Sequence, residues 1–211
     1  MKLKNNLNDK TMKKTSLTII ALLMSVAYVI AGGYRPGDKA AGFSLKNVDG
    51  TMVSMSDYED VKGFILIFTC NHCPYSVKYE DRIIALDKKY KEQGYPVIAI
   101  NPNDPAKQPE DSFPLMQERA RNKGFTFPYL FDESQETART YGATRTPHVF
   151  LLQKDEGDLL VKYIGAIDNN VKSEQLADIK YVEDAIAALA EGRDPDPAFT
   201  TAVGCTIKWK D

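Results

Sequence analysis

Cysteine is scarce, with three residues in a chain of 211. Small exported domains that depend on disulfides carry many more, so these three do not form a structural framework. Histidine is scarcer still. Only His72 and His148 are present, and there is no second Cys-x-x-Cys, which leaves a closed zinc site short of ligands. No excess of basic charge exists either. Lys and Arg number 27 against 29 Asp and Glu, the formal net charge is -2, and the two signs are interspersed. That pattern excludes the basic footprint of a nucleic-acid binder. A Gly-rich phosphate loop is also missing, so no nucleotide cofactor is expected, and no organic cofactor or metal is assigned. The long uncharged run from Leu17 to Ala31 falls short of the about 20 residues that span a bilayer comfortably.

That run has the make-up of an export leader. Lys13 and Lys14 precede it, Leu17, Ile19, Ile20, Leu22, Leu23, Val26, Val29 and Ile30 fill it, and Val29 and Ala31 fit the -3 and -1 positions of a cleavage site. Residues 1–31 are therefore read as a signal peptide, with an uncleaved N-terminal anchor as the alternative. Residues 32–211 are read as one domain with a C-terminal tail from about residue 192. Either way the folded part belongs outside the cytoplasm, in a periplasm or similar compartment.

Within that domain Phe64-Ile65-Leu66-Ile67-Phe68 has the length and unbroken apolarity of a strand buried on both faces. It runs into Cys70-Asn71-His72-Cys73 and then Pro74, a residue tolerated in the first turn of a helix. Tyr79, Ile83, Leu86 and Tyr90 follow at helical spacing up to Gly94, and Pro96 to Ile100 is a second apolar strand. Strand, helix and strand predict a parallel unit with a right-handed crossover. Residues 101–114 read as a loop, 115–123 as a helix, Phe127 to Phe131 as a short apolar piece, and Asp132 to Tyr141 as a helix stopped by Gly142. Val149 to Leu152 and Leu159 to Ile164 predict an antiparallel hairpin, and Tyr181 to Glu191 the last helix. The expected fold class is α/β, a central mixed sheet with helices on both faces.

The two cysteines fall at the strand-to-helix turn. Orphan N–H groups and the positive end of the helix dipole favour an anion there, and thiolate is the species that attacks a disulfide. Cys70 is the expected nucleophile, with His72 beside it favouring the charge, and Cys73 is near enough to close a disulfide with it. An ordinary disulfide, or half of a zinc site, is the bland alternative.

With Thr146-Pro147 opening a later strand, this arrangement resembles the thioredoxin fold, in which that proline is cis and faces the cysteines. From about Tyr34 to Ala188 the chain resembles the extracytoplasmic redoxins of the alkyl hydroperoxide reductase and thiol-specific antioxidant superfamily. The resemblance rests also on Gly37-Asp38-Lys39-Ala40, Phe43-x-Leu45, Phe127-Pro128-x-Leu130-x-Asp132 and Tyr141-Gly142. It implies thiol–disulfide exchange with protein thiols and disulfides, with Cys70 attacking, Cys73 resolving and Thr146-Pro147 supporting the partner chain. Reducing power would come from a membrane or exported thiol reductant. Thr69 and Ser76 depart from relatives that carry Trp and Glu at those places. Two other readings stay open: a peroxidase using Cys73 with Arg145 as its activating partner, and a copper-binding thioredoxin-like protein.

Several residues are set outside the site. His148 reads as a surface or half-buried strand histidine, Asp168-Asn169-Asn170 as a turn, and Glu110-Asp111 as solvated charge. Cys205 stands in Gly204-Cys205-Thr206-Ile207-Lys208-Trp209, a tail that returns to the body of the domain. It is either a small buried hydrophobe or an additional resolving thiol close to Cys73, and the second is favoured.

Overall fold

In the computed structural model, residues 32–211 are described, and the leader reading of 1–31 lies outside them. Strand β3 (Gly63–Phe68) is the axis of the molecule, and every one of its residues is buried. Its side chains alternate between two cores, as the two-residue period of a strand requires. Phe64, Leu66 and Phe68 enter one core, whereas Ile65 and Ile67 enter the other. An unbroken apolar run is thus the sequence of a strand covered on both faces.

The strands β1 (Ser44–Asn47), β2 (Met52–Ser54), β4 (Val97–Asn101), β5 (Tyr129–Phe131), β7 (His148–Asp155) and β8 (Asp158–Gly165) complete a seven-stranded mixed sheet with β3. Its order is β2-β1-β5-β4-β3-β7-β8. β3 pairs in parallel with β4 and antiparallel with β7, and β7–β8 is the expected hairpin. Among the described residues the α-helices are α1 (Pro74–Tyr90), α2 (Phe113–Lys123), α3 (Glu136–Tyr141) and α4 (Tyr181–Ala190). Tyr79, Ile83, Leu86 and Tyr90 of α1 share one core with Met116 of α2 and with Val182, Ala185, Ile186 and Leu189 of α4. Ala138 and Tyr141 of α3 belong to the other core. α3 ends at Gly142, whose φ of 75° is the left-handed conformation that stops a helix.

Differences from the sequence reading are local. α3 starts later than Asp132, because that carboxylate accepts from the Ala138 N–H at 2.8 Å and so caps the helix rather than joining it. Asp168 is no solvated turn residue. It is buried, pairs with Arg82 at 2.5 Å and accepts from the Tyr79 hydroxyl at 2.9 Å. His148 is buried as well, at 7% exposure, beside Phe150.

Burial, then the nearby Arg145 charge, pulls the His148 imidazole down to about 4. The folded state therefore keeps it neutral while the unfolded chain protonates it at about 6.5. Between those two values the unfolded state binds more protons, so stability must fall as pH drops through that window. The expected loss is about 3 kcal/mol. Urea unfolding between pH 7 and 4 tests this, with His148→Phe expected to flatten that part of the slope. An unchanged slope in the variant would assign the acid sensitivity to other groups.

Candidate active site

The end of β3 delivers Thr69 and Cys70 to the top of the sheet, and Cys73 occupies the N-cap of α1 with Pro74 at its first position. Pro suits that position because its missing N–H would lack a helical partner anyway. The N-cap geometry follows from the sequence Cys-x-x-Cys-Pro. It places the second cysteine, and not the first, at the N-cap, where its side chain makes no capping hydrogen bond to the first-turn amides.

Thr146 joins the two sulfurs. Its hydroxyl lies 3.1 Å from Cys70 Sγ, and its carbonyl accepts from the Cys73 thiol at 3.2 Å. It belongs to strand β6 (Arg145–Thr146), and the Thr146–Pro147 bond is cis. Ser76 Oγ, 3.8 Å from Cys70 Sγ, closes the far side. Both cysteines are buried, Cys73 completely and Cys70 at 3% exposure, and both are free thiols.

His72 does not simply face solvent. Its Nδ1 lies 2.5 Å from Asp111 Oδ2 and 3.6 Å from Cys70 Sγ. Asp111 in turn is completely buried. Its carboxylate accepts from the backbone N–H of Asn71 at 2.7 Å and from Asn103 Nδ2 at 2.7 Å. Reading Glu110-Asp111 as solvated charge was therefore wrong for Asp111. The 101–114 loop folds back over the cysteine turn and turns this carboxylate inward. The turn is also held from below, where the Tyr129 hydroxyl donates to Asn71 Oδ1 at 2.9 Å.

These neighbours divide the two thiols. Cys70 is pushed up by the hydrogen bond it shares with Cys73, then by burial and by the Asp111 charge. Cys73 is pulled down to about 4, chiefly by the same hydrogen bond from Cys70. Burial opposes that shift, while the Cys205 thiol and the backbone N–H groups of Ser76 and Cys205 support it. The Thr146 carbonyl also acts against a charge on Cys73, since it accepts from the protonated form. The Cys70 and Cys205 donors oppose that single acceptor, and the hydrogen bonds of the pair favour the first charge on Cys73. The sequence reading expects the charge on Cys70, beside His72, whereas the pair's hydrogen bonds favour Cys73.

Cys205 sits in strand β9 (Cys205–Thr206), which pairs antiparallel with β6 in the register Arg145↔Thr206 and Thr146↔Cys205. The tail thus brings a third thiol to the turn, beside Cys73. Its thiol is pushed up to about 11, first by burial and then by Cys73. Arg145 directs a guanidinium N–H to the Gly204 carbonyl at 3.0 Å, so it serves the tail.

Cys70, His72 and Asp111 place ligand-type atoms within 4.8 Å of one another. Two donors on one tetrahedral ion sit about 3.3 Å apart, given metal–ligand bonds near 2 Å. His72 and Asp111 at 2.5 Å are instead in direct hydrogen-bond contact. The trio orients the turn.

Residues 36–159 match the AhpC/TSA family. The chain belongs to that family. A crystal structure of an uncharacterized conserved protein from Geobacillus kaustophilus superimposes on it with a TM-score of 0.76 and 34% identity, covering 84% of this chain and 93% of that one. Among curated relatives, the thiol-disulfide oxidoreductase ResA of Halalkalibacterium halodurans is 26% identical over 146 residues, which are 69% of this chain and 78% of ResA. A protein named as a peroxiredoxin, MT2597 of Mycobacterium tuberculosis, is 28% identical over 112 residues, or 51% of this chain and 64% of its own. The family thus includes both disulfide-exchanging and peroxide-related names, and its fold is the thioredoxin-like α/β arrangement described above.

Proposed function

We propose that this AhpC/TSA-family protein is a thiol–disulfide oxidoreductase acting on partner proteins through Cys70 and Cys73. The observation that carries the reading is the convergence of both sulfurs on one residue, Thr146, at the start of α1. In the reductive direction the Cys73 thiolate attacks a partner disulfide, forming a mixed disulfide and releasing one partner thiolate. Cys70 then gives up its proton and attacks Cys73, so that the partner leaves as a dithiol and the Cys70–Cys73 pair is left oxidised. Two electrons pass to the partner, and an exported or membrane-held thiol reductant must restore them. The protein works in an extracytoplasmic compartment, a reading supported by the leader-like residues 1–31. Among the described residues no helix is long and apolar enough to cross a membrane.

The test is reduction of insulin disulfides by dithiothreitol, with and without the protein. Acceleration by the wild type that is lost in the Cys70→Ser/Cys73→Ser double variant is the expected result, and no acceleration would reject the reading. A second reading, peroxide reduction at Cys73, is favoured by the likeness to a relative named as a peroxiredoxin. Peroxide consumption that survives Cys70→Ser and disappears in Cys73→Ser would support it.

A further inference from the structure

A thiol–disulfide exchanger needs free backbone beside its cysteines, because an extended partner chain is held by adding a strand there. In this protein that backbone is already paired. β9 lies antiparallel along β6, with Cys205 directly opposite Thr146, the residue that holds both active-site sulfurs. The docking is extensive for so short a piece. Ile207 is buried, and its N–H reaches the Thr144 carbonyl at 3.3 Å. The Lys208 carbonyl accepts from Asp104 N at 2.9 Å and from Gln135 Nε2 at 2.9 Å. Trp209 stacks under the Arg139 guanidinium at 4.4 Å.

Gly204 makes the approach possible. A Cβ at this position would lie 2.2 Å from the Thr146 carbonyl oxygen and 3.0 Å from Pro147 N, both backbone atoms held in the fold. Only a residue without a side chain lets the tail come this close. The tail therefore presents to the turn what a partner would present: an extended strand on Thr146 carrying a cysteine beside Cys73.

We propose that residues 204–209 are a built-in occupant of the partner-strand position, and that Cys205 is a third redox thiol forming a reversible disulfide with Cys73. This rests on the exchange reading above. The step is an internal exchange. Starting from the oxidised Cys70–Cys73 pair, the Cys205 thiolate attacks Cys73 Sγ. The Cys73–Cys205 bond forms, the Cys70–Cys73 bond breaks with its electron pair going to Cys70, and the proton given up by Cys205 ends on Cys70. One disulfide and one thiol are present before and after, so no oxidant is consumed. The raised Cys205 thiol fits a group that attacks only once Cys73 no longer carries negative charge. A partner protein must lift the tail to reach Thr146, so the occupant also selects for partners that can displace it.

Tryptic mapping separates the states cleanly. Cys70 and Cys73 share the peptide 63–78, whereas Cys205 lies in 194–208. The Cys70→Ser protein is equilibrated with oxidised glutathione, alkylated and digested. Peptides 63–78 and 194–208 should be joined by a disulfide in most molecules, while Cys73→Ser should give no such product. Gly204→Val, with folding checked by thermal melting, should cut the linked product at least tenfold with Cys205 still present. Glutathione adducts on Cys73 and Cys205 separately, without linkage in Cys70→Ser, would overturn the proposal. So would equal linkage in Gly204→Val. Insulin reduction measured in parallel keeps the two claims apart. Exchange activity without linkage defeats the third-thiol proposal and leaves the reading standing, whereas absence of exchange defeats the reading itself.

Discussion

Cys73→Ser should lower disulfide exchange by about a thousandfold or more, the usual scale for loss of a nucleophile. Cys70→Ser should instead leave the first attack in place and accumulate a mixed disulfide, because the resolving thiol is gone. This asymmetry is the reverse of what the order of the cysteines in the chain suggests. It follows from the hydrogen bonds from Cys70 and then Cys205 that pull the Cys73 thiol down. The same cause gives a pH signature. With its thiol at about 4, Cys73 is ionised throughout the neutral range, so its labelling by iodoacetamide should be nearly independent of pH from 5.5 to 8. At pH 5.5 an ordinary cysteine is about one part in a thousand thiolate. A low-pKa thiolate is also a weaker nucleophile, by roughly a hundredfold over this span. The net advantage of Cys73 at pH 5.5 is therefore about tenfold, and it should vanish and reverse above about pH 6.5. Burial slows the absolute rates but not the shape of the curve. Labelling that climbs about tenfold per pH unit across the whole range would place the charge elsewhere.

The parts of the molecule that could be read in advance are those where one physical cause acts over a short stretch. β3 and α1 are legible because apolar runs and three- and four-residue spacing report burial directly. The cysteine turn is legible because it lies between them. Thr146 is found only by resemblance, since nothing local in Arg145-Thr146-Pro147 reveals that both its hydroxyl and its carbonyl meet sulfurs more than seventy residues away. β1 and β2 are missed as strands because they are three or four residues long, and none of their residues is fully buried. β9 has only two residues, and its pairing depends on where the tail returns. The clearest failures, Asp111 and Asp168, share a cause. Each is a carboxylate in a polar loop, where composition suggests solvent, yet each is drawn inside by a nitrogen-bearing side chain, His72 or Arg82, and by amide or hydroxyl donors from a distant element. Such burial requires a partner, and the partner is not near in sequence.

Asp111 is also where the largest loss of stability is expected. A buried carboxylate deprived of its charge leaves its partners unpaired, and breaking such a pair costs about 3–5 kcal/mol. Asp111→Ala removes the acceptor for Asn71 N, His72 Nδ1 and Asn103 Nδ2 at once, so the upper part of that range applies. For a domain of this size each kcal/mol moves Tm by about 2–4 °C, which predicts a fall of about 10 °C or more. Asp111→Asn keeps the shape and one acceptor oxygen and should cost about half as much. A double-mutant cycle with His72→Ala isolates the His72–Asp111 hydrogen bond, and its coupling should be about 2 kcal/mol. Additive effects would mean that the 2.5 Å contact contributes nothing of its own. The loss should extend to chemistry, because Asp111 anchors the backbone of Asn71 and His72 between the two cysteines. With that anchor removed, the Cys70 sulfur loses its fixed position against the Thr146 hydroxyl, and resolution of the mixed disulfide slows. Cys73, held by the start of α1, keeps its first attack. Asp111→Asn should therefore accumulate mixed disulfide with the insulin substrate, as Cys70→Ser does but to a smaller extent, whereas a loss of both steps in equal measure would show that the loop supports the whole turn and not Cys70 alone.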